Sequence, residues 1–146
     1  QTRDQLQVVD DQQGAPTSAA WLAELGLAVA GVAVQSRYRA LGKLAPGFLP
    51  DNPRDLPSGE VFHATAAGHT TWFDYANLVL DLAHKKGLIS KRPEVLPAKT
   101  ADMGFKAQRP AYSVLDTTKL QAVFKITPPD WTRGVKNLMA TLDDVG

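Results

Sequence analysis

The chain has 146 residues, of which 44% are hydrophobic and 21% charged, and its formal net charge is +1. These values are typical of one globular domain, and the balanced charge gives no electrostatic reason to expect nucleic acid as a partner. The absence of cysteine excludes disulfides and thiolate metal sites, and fits a reducing, cytoplasmic location. The longest apolar stretch, residues 21–34, contains Glu24. It is shorter than the roughly 20 residues that a membrane span needs, so no membrane association is expected.

The first half of the chain predicts two strands around one helix. A short run rich in valine predicts a strand over about residues 6–10. After a break that contains glycine and proline, a helix is predicted over about 18–40, with Thr17 or Ser18 as its cap. A proline-rich connection then leads to residues 60–66, which alternate apolar and polar as a half-buried strand does.

The second half predicts three helices and one more strand. Thr71 is expected to cap a helix that Gly87 ends, and residues 94–98 predict a strand. Asp116 and Asp130 are expected to cap two further helices. The last of these has an apolar stripe formed by Trp131, Val135, Leu138 and Leu142. Few short strands with about four helices predict a mixed α/β or α+β lobe.

The motifs of a nicotinamide-dependent dehydrogenase are missing from this chain. No glycine-rich turn joins a first strand to a helix, so a dinucleotide site is not expected. A short-chain dehydrogenase also needs a tyrosine with lysine four residues later, because the lysine lowers the pKa of the phenol. The residues found four positions after Tyr38, Tyr75 and Tyr112 are Gly42, Val79 and Asp116.

Other chemistry-bearing residues give weak signals. The three histidines, His63, His69 and His84, lack the spacing of a helical metal site, so structural or solvated roles are expected. Asp10 and Asp11 follow a predicted strand and precede a glycine, which is typical of turn chemistry rather than of paired catalytic carboxylates.

Arg109 is the residue with the clearest candidate role, because Pro110 restricts its backbone to extended geometry. Two interpretations follow from spacing alone. In one, the side chain lies along the surface with its charge in water, or the guanidinium pairs with a surface carboxylate. In the other, it presents a planar fork that grips phosphate oxygens in a bidentate manner.

Three stretches, "LQVVDDQQGAPTS", "GEVFHATAAGHTTWFDYA" and "RPAYSVLDTTKL…PPDW", resemble in the same order the C-terminal half of dTDP-4-dehydrorhamnose reductases. These are extended short-chain dehydrogenases. The resemblance implies that residues 1–146 are one substrate-binding lobe of a Rossmann-type enzyme. It also implies that the N-terminal NAD(P)-binding half, with its Tyr/Lys pair, is missing from this chain. Such enzymes reduce dTDP-4-dehydro-L-rhamnose to dTDP-L-rhamnose with NADPH or NADH.

The resemblance also assigns site residues. It implies that Arg109 lies near the substrate diphosphate, and that a loop bordering the sugar-nucleotide cleft is formed by Gln12, Gly14, Ala15, Pro16 and Thr17. It places no catalytic, cofactor-binding or metal-binding residue in this chain. One departure stands out: Met103-Gly104-Phe105-Lys106-Ala107 replaces the Tyr-Pro-Thr-Pro-Ala that is usual in the family. The loop leading to Arg109 is therefore expected to have its own shape, with Lys106 as a second positive charge.

The partners implied by the resemblance are a dTDP-sugar, the N-terminal Rossmann half and, in a homodimer, a second copy. Mg2+ is a further candidate for the intact enzyme. The chain alone is expected to be inactive. One alternative is a non-catalytic nucleotide-sugar-binding or regulatory subunit of the same fold, which the glycine-rich turn and the Tyr/Lys pair of the other half would distinguish. Another is a free-standing small domain whose ligand the sequence does not identify.

Overall fold

The computed structural model describes residues 4–32 and 60–142. The elements in this part are β1 (Gln5–Val9), β2 (Gln13–Gly14), α1 (Ala19–Val32), β3 (Thr70–Thr71), α2 (Trp72–Lys85), β4 (Glu94–Ala98), a 3-10 helix (Thr100–Met103), α3 (Thr118–Phe124) and α4 (Trp131–Thr141). Four α-helices and four short strands within the described ranges confirm a mixed α/β lobe. None of these helices is long and apolar enough to cross a membrane.

β1 and β4 form a parallel two-stranded sheet, in register from Gln5 opposite Glu94 to Val9 opposite Ala98. A parallel pair needs a crossover connection, and both α1 and α2 lie between these strands in the chain. Val9 and Val95 are buried, as valine in a half-covered strand is expected to be. The predicted strand at 94–98 is confirmed, and the one at 6–10 is confirmed with a shift of one residue.

A second, smaller sheet joins three distant parts of the chain. β2 pairs with β3 in antiparallel fashion, with Gln13 opposite Thr71. Gln13 also forms a parallel bridge with Tyr112. The short β2 therefore lies between the start of α2 and the segment that follows Arg109.

The hydrophobic core forms where α1, α3 and the segment around residue 126 meet. Its buried members are Leu25, Leu120, Phe124 and Ile126. The ring of Phe62 packs edge-on against that of Phe124, with the centroids 5.1 Å apart. Phe62 comes from the stretch 60–66, so this stretch covers the core.

The prediction of a strand over 60–66 is wrong, although the alternation that suggested it is present. Val61 and His63 are exposed while Phe62 and Ala64 are half-buried, but within residues 4–32 and 60–142 no strand pairs with this stretch. The backbone N–H of Ala66 donates instead to a side chain, the Oγ1 of Thr17. The alternation of apolar and polar residues indicates which face of a segment is buried. It does not indicate whether another strand lies beside that segment to form backbone hydrogen bonds.

The predicted caps hold well. Thr71 accepts from the N–H of Asp74 at 3.1 Å and Asp130 from that of Thr132 at 2.9 Å, which confirms both caps. The prediction of Asp116 as the N-cap of α3 is off by one residue, because the N-cap is Thr117; the Asp116 carboxylate still accepts from the N–H of Thr118, the first residue of α3. At α1 the side chain facing the first turn is that of Ser18, at 3.5 Å from the N of Trp21. Residues 33–40 of the predicted helix lie outside the described part.

The apolar stripe predicted for α4 is partly wrong. Val135 is buried as expected, but Leu138 and Leu142 are 54% and 37% exposed. Met139 is the second buried residue of α4. Val135 and Met139 are four residues apart, so they lie on one face of the helix.

Candidate functional site

Arg109 lies in a loop that is fastened to the β1–β2 segment at both ends; we call residues 99–111 the Arg109 loop. At the first end, the carboxylate of Asp11 accepts from the backbone N–H of Thr100, at 3.0 Å to each oxygen, and from its hydroxyl at 2.5 Å. The amide of buried Gln12 donates to the same hydroxyl oxygen at 2.9 Å. The hydrogen bond from the Thr100 hydroxyl lowers the pKa of Asp11 below its ordinary value.

At the second end, the backbone of Gln13 holds the residues that follow Pro110. The N–H of Gln13 donates to the carbonyl of Ala111 at 2.7 Å. The carbonyl of Gln13 accepts from the N–H of Ser113 at 2.9 Å and from its hydroxyl at 3.0 Å. A Cβ on Gly14 would come within 3.3 Å of the Ser113 hydroxyl, so glycine allows this close approach.

The Arg109 side chain is exposed, and its guanidinium carbon lies 5.5 Å from the centroid of the Phe105 ring. Within residues 4–32 and 60–142 this guanidinium makes no hydrogen bond and no ion pair. The described part of the chain thus contains no carboxylate that forms the surface ion pair proposed for Arg109. Its N–H donors face solvent and are available to an anion.

Two exposed rings lie beside β2. The rings of His69 and Tyr112 meet at an angle of 62° with their centroids 6.2 Å apart. The prediction of local turn chemistry is wrong for Asp11, because its carboxylate accepts hydrogen bonds from Thr100, 89 positions away in the chain. Among the described residues, no group of three or more His, Asp or Glu side chains could hold a metal ion.

The six residues assigned from sequence do not converge on one cavity. Gln12 bonds the start of the Arg109 loop and Gly14 lies beside Ser113, just after the end of that loop, whereas the hydroxyl of Thr17 donates to the carbonyl of Ala15 at 2.9 Å. A cleft of about 560 Å³ between α1 and α4 is lined by Pro16 and Thr17, together with Trp21, Tyr75 and Trp131 among others. Arg109 is absent from this lining.

Sequence reasoning missed Thr100 and Phe105 as residues of the site. Thr100 forms hydrogen bonds with Asp11, which is 89 positions away, and no local sequence pattern predicts such a contact. Phe105 left a signal, because it is the one aromatic residue in the sequence from 99 to 111 and stands four positions before Arg109.

The family model of the RmlD substrate binding domain matches residues 1–143. The chain belongs to this family. The dTDP-4-dehydrorhamnose reductase of Escherichia coli (strain K12) is 34% identical over 140 residues, which are 96% of this chain and 40% of that enzyme. The chain therefore spans about 40% of the length of the curated relatives it matches.

Solved structures agree with this assignment to the RmlD substrate binding domain family. The crystal structure of a dTDP-4-dehydrorhamnose reductase from Clostridium acetobutylicum is similar with a TM-score of 0.65 at 26% identity, over 97% of this chain and 40% of that one. A reductase from Bacillus anthracis, solved in complex with NADP, shares the fold with a TM-score of 0.62 at 23% identity. That match covers 95% of this chain and 39% of the other.

Proposed function

We propose that this chain is the substrate-binding part of a dTDP-4-dehydrorhamnose reductase, and that it holds the dTDP-sugar through Arg109. The family match over residues 1–143 and the names of the relatives support the enzyme class. The observation that carries the binding role is the guanidinium of Arg109. It has no carboxylate partner in the part of the chain described, yet it lies on a loop fastened at both ends.

The chemistry of this arrangement suits a diphosphate. A guanidinium offers parallel N–H donors that match two phosphate oxygens, and the resulting charge-assisted bonds are stronger than neutral ones. The bonds at Thr100 and Ala111 hold the ends of the loop, so binding would order few additional residues. A site prepared in this way loses less conformational entropy when the ligand binds.

In the intact enzyme, we propose, an N-terminal Rossmann half binds NADPH or NADH and forms the other wall of the cleft. Hydride would pass from the nicotinamide to the C4 carbonyl carbon of dTDP-4-dehydro-L-rhamnose. A tyrosine of that half would donate the proton to the carbonyl oxygen. Residues 1–146 would act as one lobe that grips the substrate. A cytoplasmic location, a homodimer and a role for Mg2+ in the intact enzyme remain predictions of the same assignment.

The chain alone is expected to be catalytically inactive, because it carries neither the glycine-rich turn nor the Tyr/Lys pair. The test is the absorbance of NADPH and of NADH in the presence of dTDP-4-dehydro-L-rhamnose and the purified 146-residue chain. Oxidation above the rate of the protein-free control would contradict the proposed division of labour.

The binding role is tested by titrating dTDP onto the isotope-labelled chain and following amide shifts by NMR. Arg109→Ala is expected to weaken binding about tenfold, since charge-assisted hydrogen bonds contribute about 1.5 kcal/mol or more each. The matched control is Lys136→Ala, which removes the same charge from an exposed position on α4 that does not line the cleft between α1 and α4. If both variants lost the same affinity for dTDP, the effect of Arg109→Ala would come only from the change in net charge, and the proposed binding role of Arg109 would be contradicted.

The same titration bears on the non-catalytic alternative. A regulatory or binding subunit of this fold would also bind dTDP through Arg109, so binding alone does not separate the two. The separating observation is whether the Rossmann half of the full-length protein carries a tyrosine followed by lysine four residues later.

A further inference from the structure

Phe105 is a large apolar side chain that the fold leaves 46% exposed, on the loop that also carries Arg109. The Arg109 guanidinium lies over its ring, with the guanidinium carbon 5.5 Å from the centroid. That distance is within the roughly 6 Å over which a cation is attracted to the face of an aromatic ring. The ring therefore gives the guanidinium a contact in a part of the loop that otherwise faces solvent.

The backbone sets this contact from both sides. Gly104 ends the 3-10 helix in the left-handed region with φ of +63°, which a glycine adopts without steric cost. The chain is thereby turned immediately before Phe105. Pro110 restricts Arg109 to extended geometry. The side chains of Phe105 and Arg109, four positions apart, are thus brought together by the left-handed backbone of Gly104 and by the restriction that Pro110 imposes.

A guanidinium held over a ring keeps its ligand-binding capacity. All five of its N–H bonds lie in the plane of the group, so the edge remains open to an anion while one face meets the ring. A carboxylate partner would occupy those same donors. The aromatic contact orients the arginine without competing with the ligand.

We infer that Phe105 is the positioning residue of Arg109, and that it pre-orients the guanidinium for the diphosphate of a dTDP-sugar. The ligand in this inference rests on the proposed function, whereas the contact itself does not.

The contact is tested first without any ligand. The Nε–Hε proton of Arg109, identified by its disappearance in Arg109→Gln, is expected to be shifted upfield by the ring current of Phe105. Phe105→Leu should move it back to the random-coil position, and Phe105→Tyr should not. An Arg109 proton at the random-coil position in the wild type would overturn the inference, whatever the chain binds.

The positioning role is tested by titrating dTDP. Phe105→Leu is expected to weaken binding about two- to five-fold, the factor that an exposed cation–π contact corresponds to, and Phe105→Tyr to bind as the wild type does. In an Arg109→Gln background, Phe105→Leu should change the affinity no further. The control, Leu88→Ala, alters a similarly exposed apolar side chain outside the loop and should have no effect.

Two results of this titration would overturn the positioning role: an unchanged affinity in Phe105→Leu, or the same loss with and without Arg109. The second result would mean that Phe105 acts independently of the guanidinium. If the wild type fails to bind dTDP at all, the proposed function fails, and the role of Phe105 toward a diphosphate fails with it. The ring-current measurement then still reports separately whether the contact exists.

Discussion

At the scale of single residues, Gly68 shows how tightly two distant segments meet. Its φ is +76°, and a Cβ there would lie 3.1 Å from Oδ2 of Asp130 and 3.2 Å from Cδ1 of Trp131. Directly before it, Ala67 accepts a hydrogen bond from the N–H of Trp131 and donates its own N–H to the carbonyl of Pro129. Gly68 therefore turns the chain toward β3 where a side chain would meet the start of α4.

Replacing Gly68 by alanine is expected to destabilise the chain by roughly 2–3 kcal/mol, which combines the left-handed backbone with crowding against α4. Gly87→Ala is the matched control, because its φ is +75° and nothing lies within 4 Å of the added Cβ. It should lose only the backbone part, about 1–2 kcal/mol. Urea unfolding of both variants gives the comparison, and equal losses would show that the contact with α4 has no energetic weight.

At the scale of elements, α4 depends on the carboxylate of Asp130. This carboxylate accepts from the hydroxyl of Thr132 at 2.6 Å and from its backbone N–H at 2.9 Å. These bonds favour the ionised form and lower the pKa of Asp130 below its ordinary value of 3.8. A carboxyl group with a lowered pKa stabilises the fold above its unfolded pKa, and this stabilisation is lost as the pH falls through the lowered value.

The acid dependence of stability gives a test of that cap. Asp130→Asn should remain near wild-type stability at pH 7, since asparagine also caps helices, whereas Asp130→Ala should lose about 1 kcal/mol. Between pH 4 and pH 2, the wild type should lose stability more steeply than Asp130→Asn, which has no proton to take up at this position. Parallel pH profiles of the two proteins, measured by urea unfolding, would contradict this role of the carboxylate.

The elements that sequence predicted correctly are those with local signals. Thr71 and Asp130 contact groups within three residues along the chain, so their caps were visible in the sequence. The strands β1 and β4 were also predicted from local composition, and they are each other's partners. The stretch 60–66 was predicted wrongly because its alternation carries no information on whether a partner strand lies beside it. Its Ala66 N–H found the side chain of Thr17, 49 positions away, instead of another backbone.

At the scale of the whole molecule, the site depends on contacts across most of the chain. The bonds between Asp11 and Thr100 span 89 positions, and that between Gln13 and Ser113 spans 100. Sequence pointed to Arg109 through Pro110 and the family resemblance. It could not show that Gln12 and Gln13 hold the two ends of the Arg109 loop, because no local sequence pattern identifies their partners Thr100 and Ala111. It also grouped Pro16 and Thr17 with Arg109, although these two face the cleft between α1 and α4.

The central claim is that this chain grips the diphosphate of a dTDP-sugar through Arg109. It is tested most directly by comparing the affinities of dTDP and thymidine, which differ only in the phosphates. The account predicts that the wild type binds dTDP about tenfold or more tightly than thymidine, and that Arg109→Ala removes most of this preference while Lys136→Ala keeps it. Equal affinity of the wild type for both ligands, or an undiminished preference in Arg109→Ala, would contradict the account.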